Sequence, residues 1–154
     1  MVAFDESGYL TPYALIPLDI ITFERTFVLE ATNVDRRRHL LAQFITYTEG
    51  VKKLINEPFT VWVNGSFITQ KPNPADIDFV VFINFDTYRR HEEQLDRFRR
   101  LRYEYATGID GYFVLVYPEA HPRRNWYESD RLRWLHDFGS SLRNQKKGIV
   151  ELTF

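Results

Sequence analysis

The run Asn64-Gly65-Ser66, followed after nine residues by Asp76-Ile77-Asp78-Phe79, restricts the fold more than any other feature of this chain. Before it lies 59–63, a short apolar run of strand-forming residues. After it, 76–83 is apolar on both faces beyond its acidic start, the pattern of a strand covered on both sides. The joining loop 69–74 carries two prolines, which cannot occupy a central strand. Two strands joined through a Gly-Ser turn and a stiff loop are therefore expected. Side chains alternate along a strand, so Asp76 and Asp78 should share a face, their Cα atoms roughly 6.6 Å apart. Two carboxylates so placed can share a divalent cation. The Gly-Ser turn offers backbone N–H groups and a hydroxyl, which suit a phosphate.

The rest of the pattern builds a sheet with helices. Thr32 or Asn33 can cap a helix with Asp35 in its first turn. Leu40, Leu41, Phe44, Ile45, Val51, Leu54 and Ile55 form its apolar stripe, and Pro58 stops it. A second helix is expected over 87–103, capped by Asp86, with Tyr88, Leu95 and Phe98 inward. A third strand follows over 112–117. A third helix spans 127–138 with Leu132, Leu135 and Phe138 inward, stopped by Gly139. The end, 148–154, reads as an edge strand. Residues 1–31, punctuated by Gly8, Pro12 and Pro17, read as an extended arm with one helical turn near 23–27. The order α-β-β-α-β-α-β predicts an α/β fold, a mixed sheet with helices packed chiefly on one face. One domain over 1–154 is expected, with 32–154 as its core.

Composition narrows the classes of function. The formal net charge of -1 argues against a general polyanion binder, so nucleic acid is an unexpected partner. The absence of cysteine excludes disulfides, thiolate metal sites and Cys nucleophiles, and agrees with a cytoplasmic protein. No apolar stretch resembles a signal peptide or a membrane span, so no membrane partner is expected.

On Gly65, Ser66, Asp76, Ile77, Asp78 and Phe79 the chain resembles the minimal nucleotidyltransferases of the DNA polymerase β superfamily. Their signature is a hydrophobic strand, Gly-Ser or Gly-Gly, a short loop, and Asp-hydrophobic-Asp/Glu-hydrophobic. The run from Gly65 to Lys71, with 147–152, also looks like an uncharacterised bacterial family of small nucleotidyltransferase-like proteins. Two departures stand out: Asn64 replaces a small or apolar residue, and the extra loop glycine of many relatives is missing. The resemblance implies a nucleotidyltransferase-type fold and transfer of an NMP from an NTP such as ATP. Asp76 and Asp78 would hold Mg²⁺ or Mn²⁺, Gly65 and Ser66 the phosphates, and Lys71 would reach a triphosphate. It also implies a third carboxylate on a later strand. Asp110 is the candidate, at the head of its strand, with Gly111 leaving room for a ligand. Glu119, beyond Pro118, is the reserve.

Each residue has a plainer reading. Asp-x-Asp pairs often face solvent, Asp110 suits a turn, Ser66 can stabilise its own turn, and Lys71 suits a solvated loop. Arg36, Arg37 and Arg38 oppose the macrodipole of the helix they open. Asp35 or a neighbouring carboxylate offsets them in the plain reading, preferred here, and a bound phosphate or acidic partner in the other. Six arginines between 89 and 102 interleave with Glu92, Glu93 and Asp96 and read as a solvated helix face. The histidines at 39, 91, 121 and 136 lack ligand spacing. The acceptor is open; a protein hydroxyl is favoured because so short a chain encloses little. The rival expectation is a catalytically silent module, such as an antitoxin or defence-system subunit, docking a partner encoded nearby through Phe4, Tyr9, Tyr13 and Phe23.

Overall fold

A computed structural model describes residues 2–154. The chain opens with a small hairpin, β1 (Ala3–Phe4) and β2 (Leu10–Thr11), then β3 (Leu15–Pro17) and α1 (Ile20–Glu24), which continues as a π-helical turn, Arg25–Leu29. The Asp19 carboxylate caps α1 by accepting from the Thr22 N–H. This is not the expected arm. Phe23, Phe27 and Val28 are buried in the main core, and β3 joins the sheet. Gly8, Pro12 and Pro17 punctuate the segment without loosening it, because its aromatic residues find partners only after the sheet has formed.

Helix α2 (Val34–Ile55) starts where expected: Asn33 accepts from the Arg36 N–H, and Asn56 ends it in the left-handed region. Its buried side chains, among them Leu40, Phe44, Tyr47 and Val51, recur at helical spacing. Gly50 does more than weaken this helix. A Cβ there would stand 2.8 Å from the Phe98 ring, so its absence lets a later helix approach closely.

Strands β4 (Thr60–Asn64) and β5 (Ile77–Asn84) form the expected antiparallel pair, with Asn64 opposite Asp78. The expected single helix over 87–103 is broken at His91 into α3 (Phe85–Arg90) and α4 (Glu92–Arg100). Asn84, rather than Asp86, caps α3. The break turns Leu95 and Phe98 onto α2, where Phe98 meets Tyr47 edge to face. Strand β6 (Ile109–Val116) begins three residues before the expected start and runs parallel to β5. Helix α5 (Arg124–Phe138) and β7 (Ile149–Thr153) complete the chain.

The sheet order is β3-β7-β4-β5-β6. Strand β7 was expected at an edge; it lies between β3 and β4 because the N-terminal segment supplies the edge beside it. Val61, Val63, Phe79, Val81 and Ile83 point to α1, α2 and α4 and build the larger core. Trp62, Val80, Phe82 and Val114 point the other way, where Trp134, Leu135 and Phe138 of α5 cover them. Leu132, expected inward, is 64% exposed, because one short helix on that face needs only a narrow apolar stripe. The α/β class and mixed sheet are as expected. Among the described residues no helix is long and apolar enough to cross a membrane.

Candidate functional site

Asp76, Asp78 and Asp110 come together at one end of β4, β5 and β6, on the lightly covered α5 side. The parallel register sets Asp78 directly beside Asp110. Asp76 precedes β5 by one residue and shares the face of Asp78. Each carboxylate offers an oxygen such that all three lie within 4.8 Å of one another. Burial and the neighbouring Asp110 push Asp76 above the usual carboxylate range. Burial, the charge of Asp76 and a hydrogen bond with Asp110 push Asp78 up to about 7. Three anions so close repel one another, and a shared proton on Asp78 relieves part of that. A hard divalent cation with oxygen preference would relieve more, so the donor set fits Mg²⁺ or Mn²⁺.

Gly65 makes this packing possible. Its φ is +78°, and a Cβ would lie 1.8 Å from Asp78 Oδ2, so only glycine fits on both counts. The Asp78 carboxylate thus lies against the turn, and Ser66 opens a 3-10 turn, Ser66–Ile68, directly after it. The Ser66 carbonyl accepts from the Thr69 hydroxyl, and Ser66 lines a neighbouring cleft of about 650 Å³. Lys71, Arg143 and Lys147 outweigh Glu6 and leave that cleft positively charged, and Ser7 and Tyr9 of the N-terminal hairpin form part of its wall. Burial holds Lys147 below the usual lysine range, against the attraction of Asp78. Sequence reasoning placed Lys147 in a resemblance but not in the site, since only the sheet brings it to Asp78.

A second cleft of about 380 Å³ opens on the other side of the triad. Asp76 and Asp110 reach it, with Tyr103, Tyr105 and Tyr112 around them. The Arg102 guanidinium lies 4.8 Å from the Tyr103 ring centre and 4.3 Å from that of Tyr112. Alternation along the strand puts Tyr112 on the face of Asp110, but no local pattern marks Tyr103 or Tyr105.

Two arginines hold the loop between the motif's halves. Arg37 is fully buried and donates to the backbone carbonyls of Phe27, Phe67, Thr69 and Lys71. Arg36 donates to the carbonyls of Pro74 and Ala75, just before Asp76. The expected offset by Asp35 or a neighbouring carboxylate therefore fails at Arg37, where backbone carbonyl dipoles, not a carboxylate or phosphate, meet its charge. Asn64 also finds a structural explanation: its Nδ2 donates at 2.6 Å to the Phe138 carbonyl, an open acceptor at the end of α5.

Other expectations change. Gly111 leaves no room for a ligand; it is buried against the Phe79 ring and the Tyr47 hydroxyl. Glu119 lies past the end of β6 remote from Asp110 and is exposed, so it does not join the triad. His121 packs with Phe85 and Tyr117 at that same remote end. Phe23 is buried and unavailable for docking.

The chain belongs to a family of unknown function, DUF6932, which matches residues 2–153. No curated protein and no solved structure matches the chain.

Proposed function

We propose that this protein is a metal-dependent nucleotidyltransferase that moves an NMP from an NTP to an acceptor hydroxyl. The observation that carries the reading is the convergence of three carboxylates within 4.8 Å on a glycine-turn whose neighbouring cleft is cationic. A scaffold has no physical need to crowd three anions, at the expense of Asp78's acidity, beside lysines that suit a triphosphate. Held by Asp76, Asp78 and Asp110, Mg²⁺ or Mn²⁺ would neutralise phosphate charge and acidify an acceptor hydroxyl. Gly65 and Ser66 present the turn to the β,γ-phosphates, while Lys71 and Lys147 balance their charge. Asp110, which lines the second cleft with Asp76, accepts the proton of the attacking hydroxyl. The acceptor oxygen bonds to the α-phosphorus as the bond to the β-phosphate oxygen breaks, and pyrophosphate leaves.

The test incubates wild type and Asp78→Asn with each α-labelled NTP and Mg²⁺ or Mn²⁺, alone and with the product of an adjacent gene. Label on protein with release of pyrophosphate, both lost in the variant, is the expected outcome. A folded sample that binds no nucleotide in a metal-dependent way would overturn the proposal and leave a silent binding module.

A further inference from the structure

A third cleft opens beside the loop that Arg37 braces. Its volume of about 590 Å³ falls within the roughly 300–1,000 Å³ of small-molecule sites. We propose that it binds a free α-amino acid with an apolar side chain, and that its occupancy regulates the nucleotide cleft. The binding site stands without the transferase reading; the regulation rests on it.

An unused donor comes first. Arg37 lines the cleft and is only 1% exposed. Its two terminal nitrogens donate to four carbonyls, but its buried Nε–H has no acceptor. Among the described residues no carboxylate pairs with this guanidinium. A buried cation with a spare donor and no counter-anion suits a carboxylate, because charge-assisted hydrogen bonds are the strong ones.

The polarity of the cleft comes second. It lies between two helix ends. Thr26 and Glu30 line it from the C-terminal end of the π-helical turn, where the backbone dipole is negative. Thr32 and Arg37 line it from the start of α2, where the dipole is positive. Glu30 is exposed and adds its carboxylate to the negative end. Asp35, in the first turn of α2, does not line the cleft and pairs with Arg38. Glu30 against Arg37 leaves the lining neutral, so an inorganic anion gains little net attraction. An ammonium and a carboxylate on one carbon match both ends.

The apolar wall comes third. Val2, Phe4 and Phe27 form it, with the two rings edge to face at 6.2 Å. It gives an aliphatic side chain a surface to cover and offers a charged one no partner.

The regulatory route is the loop itself. Thr69 and Gln70 line both this cleft and the nucleotide cleft. Arg37 donates to the carbonyls of Thr69 and Lys71. A ligand carboxylate on Arg37 draws its charge away from those carbonyls and loosens the hold on Lys71. Amino acid and nucleotide should therefore weaken each other's binding by the same factor, about fivefold.

The experiment titrates ¹⁵N-labelled full-length protein with L-valine, L-leucine and L-methionine in turn, then with leucinamide, N-acetylleucine and inorganic phosphate. Amide shifts at Thr26, Glu30 and Thr32 are expected with the amino acids. Leucinamide, which lacks the carboxylate, should bind at least roughly tenfold more weakly than leucine. N-acetylleucine, which lacks the ammonium, should bind about threefold more weakly, since Glu30 is exposed and screened. Glu30→Gln, a surface change, should reproduce that loss for leucine and leave N-acetylleucine unaffected. No shifts with any of the three amino acids, equal binding of leucinamide, or tighter binding of phosphate overturns the site. Mg²⁺ and each α,β-methylene NTP are then titrated with and without saturating leucine. Equal nucleotide affinity in the two overturns the regulation. Missing nucleotide shifts over 65–71 bring down the transferase reading instead, while the leucine shifts still decide the site.

Discussion

Replacing Asp78 with asparagine should make the protein more stable at alkaline pH, although it removes a residue central to the candidate site. The carboxyl is held up at about 7, against 3.8 when unperturbed, by burial, by Asp76 and by Asp110, with Lys147 pulling the other way. Between those values the folded state binds a proton that the unfolded state has released. Stability is therefore full below the unfolded pKa and falls as pH rises through the folded one. Three units at ~1.36 kcal/mol each set an upper bound of about 4 kcal/mol. Asp78 is only partly buried, so solvent screens part of this and about half of it, ~2 kcal/mol, is the working figure. For a chain of this length that corresponds to a Tm difference of roughly 4–8 °C. Melting curves of wild type and Asp78→Asn, from pH 3.5 to 9 without divalent cations, measure it. The curves should lie close together at the acid end and separate steadily through pH 7, with the variant above. Adding Mg²⁺ at pH 8 should raise wild type more than the variant and narrow the gap. A pH-independent gap, or a variant that falls further behind as pH rises, would refute the picture of a crowded triad. Equal Mg²⁺ shifts in wild type and Asp76→Ala/Asp78→Ala would show that the triad holds no cation.

Gly65→Ala should cost about 1–3 kcal/mol from its positive φ and, by pushing the Asp78 carboxylate aside, abolish the Mg²⁺-dependent rise in Tm; an unchanged metal response would contradict that role. Lys147→Met removes the cation that restrains Asp78, so the Asp78 carboxyl should titrate above about 7 in ¹³C NMR; a lower value would mean that the two do not face each other electrostatically. Arg37→Met leaves buried carbonyls of Phe27 and Phe67 without their donor and should cost on the order of 3 kcal/mol or more, read by urea unfolding; a loss below about 0.5 kcal/mol, the size of an ordinary surface change, would show that Arg37 does not brace this loop.

The sequence by itself determined the elements whose signals are local. Asn33 at the head of a helical stripe, prolines fencing a loop, and apolar runs with turn residues between them specify α2, β4 and β5, because capping, φ restriction and alternation act within a few residues. For the same reason Asp76 and Asp78 were legible as one face, and Asp110 as a third carboxylate on a later strand once the resemblance asked for one. Only the tertiary structure decided what crosses the chain. The N-terminal segment becomes an edge strand and core helix because Phe23 and Phe27 need partners from α2 and the loop after Ser66. That edge moves β7 inward and, with it, carries Lys147 to Asp78. From its neighbours in sequence Arg37 is one of three cations at a helix start, offset by Asp35 or a nearby carboxylate. It becomes the brace of the phosphate-side loop because carbonyls 10, 30, 32 and 34 residues away converge on it. Side-chain chemistry is written in the sequence, but a site's charge balance depends on distances between distant residues, and those are set only when the sheet closes its register.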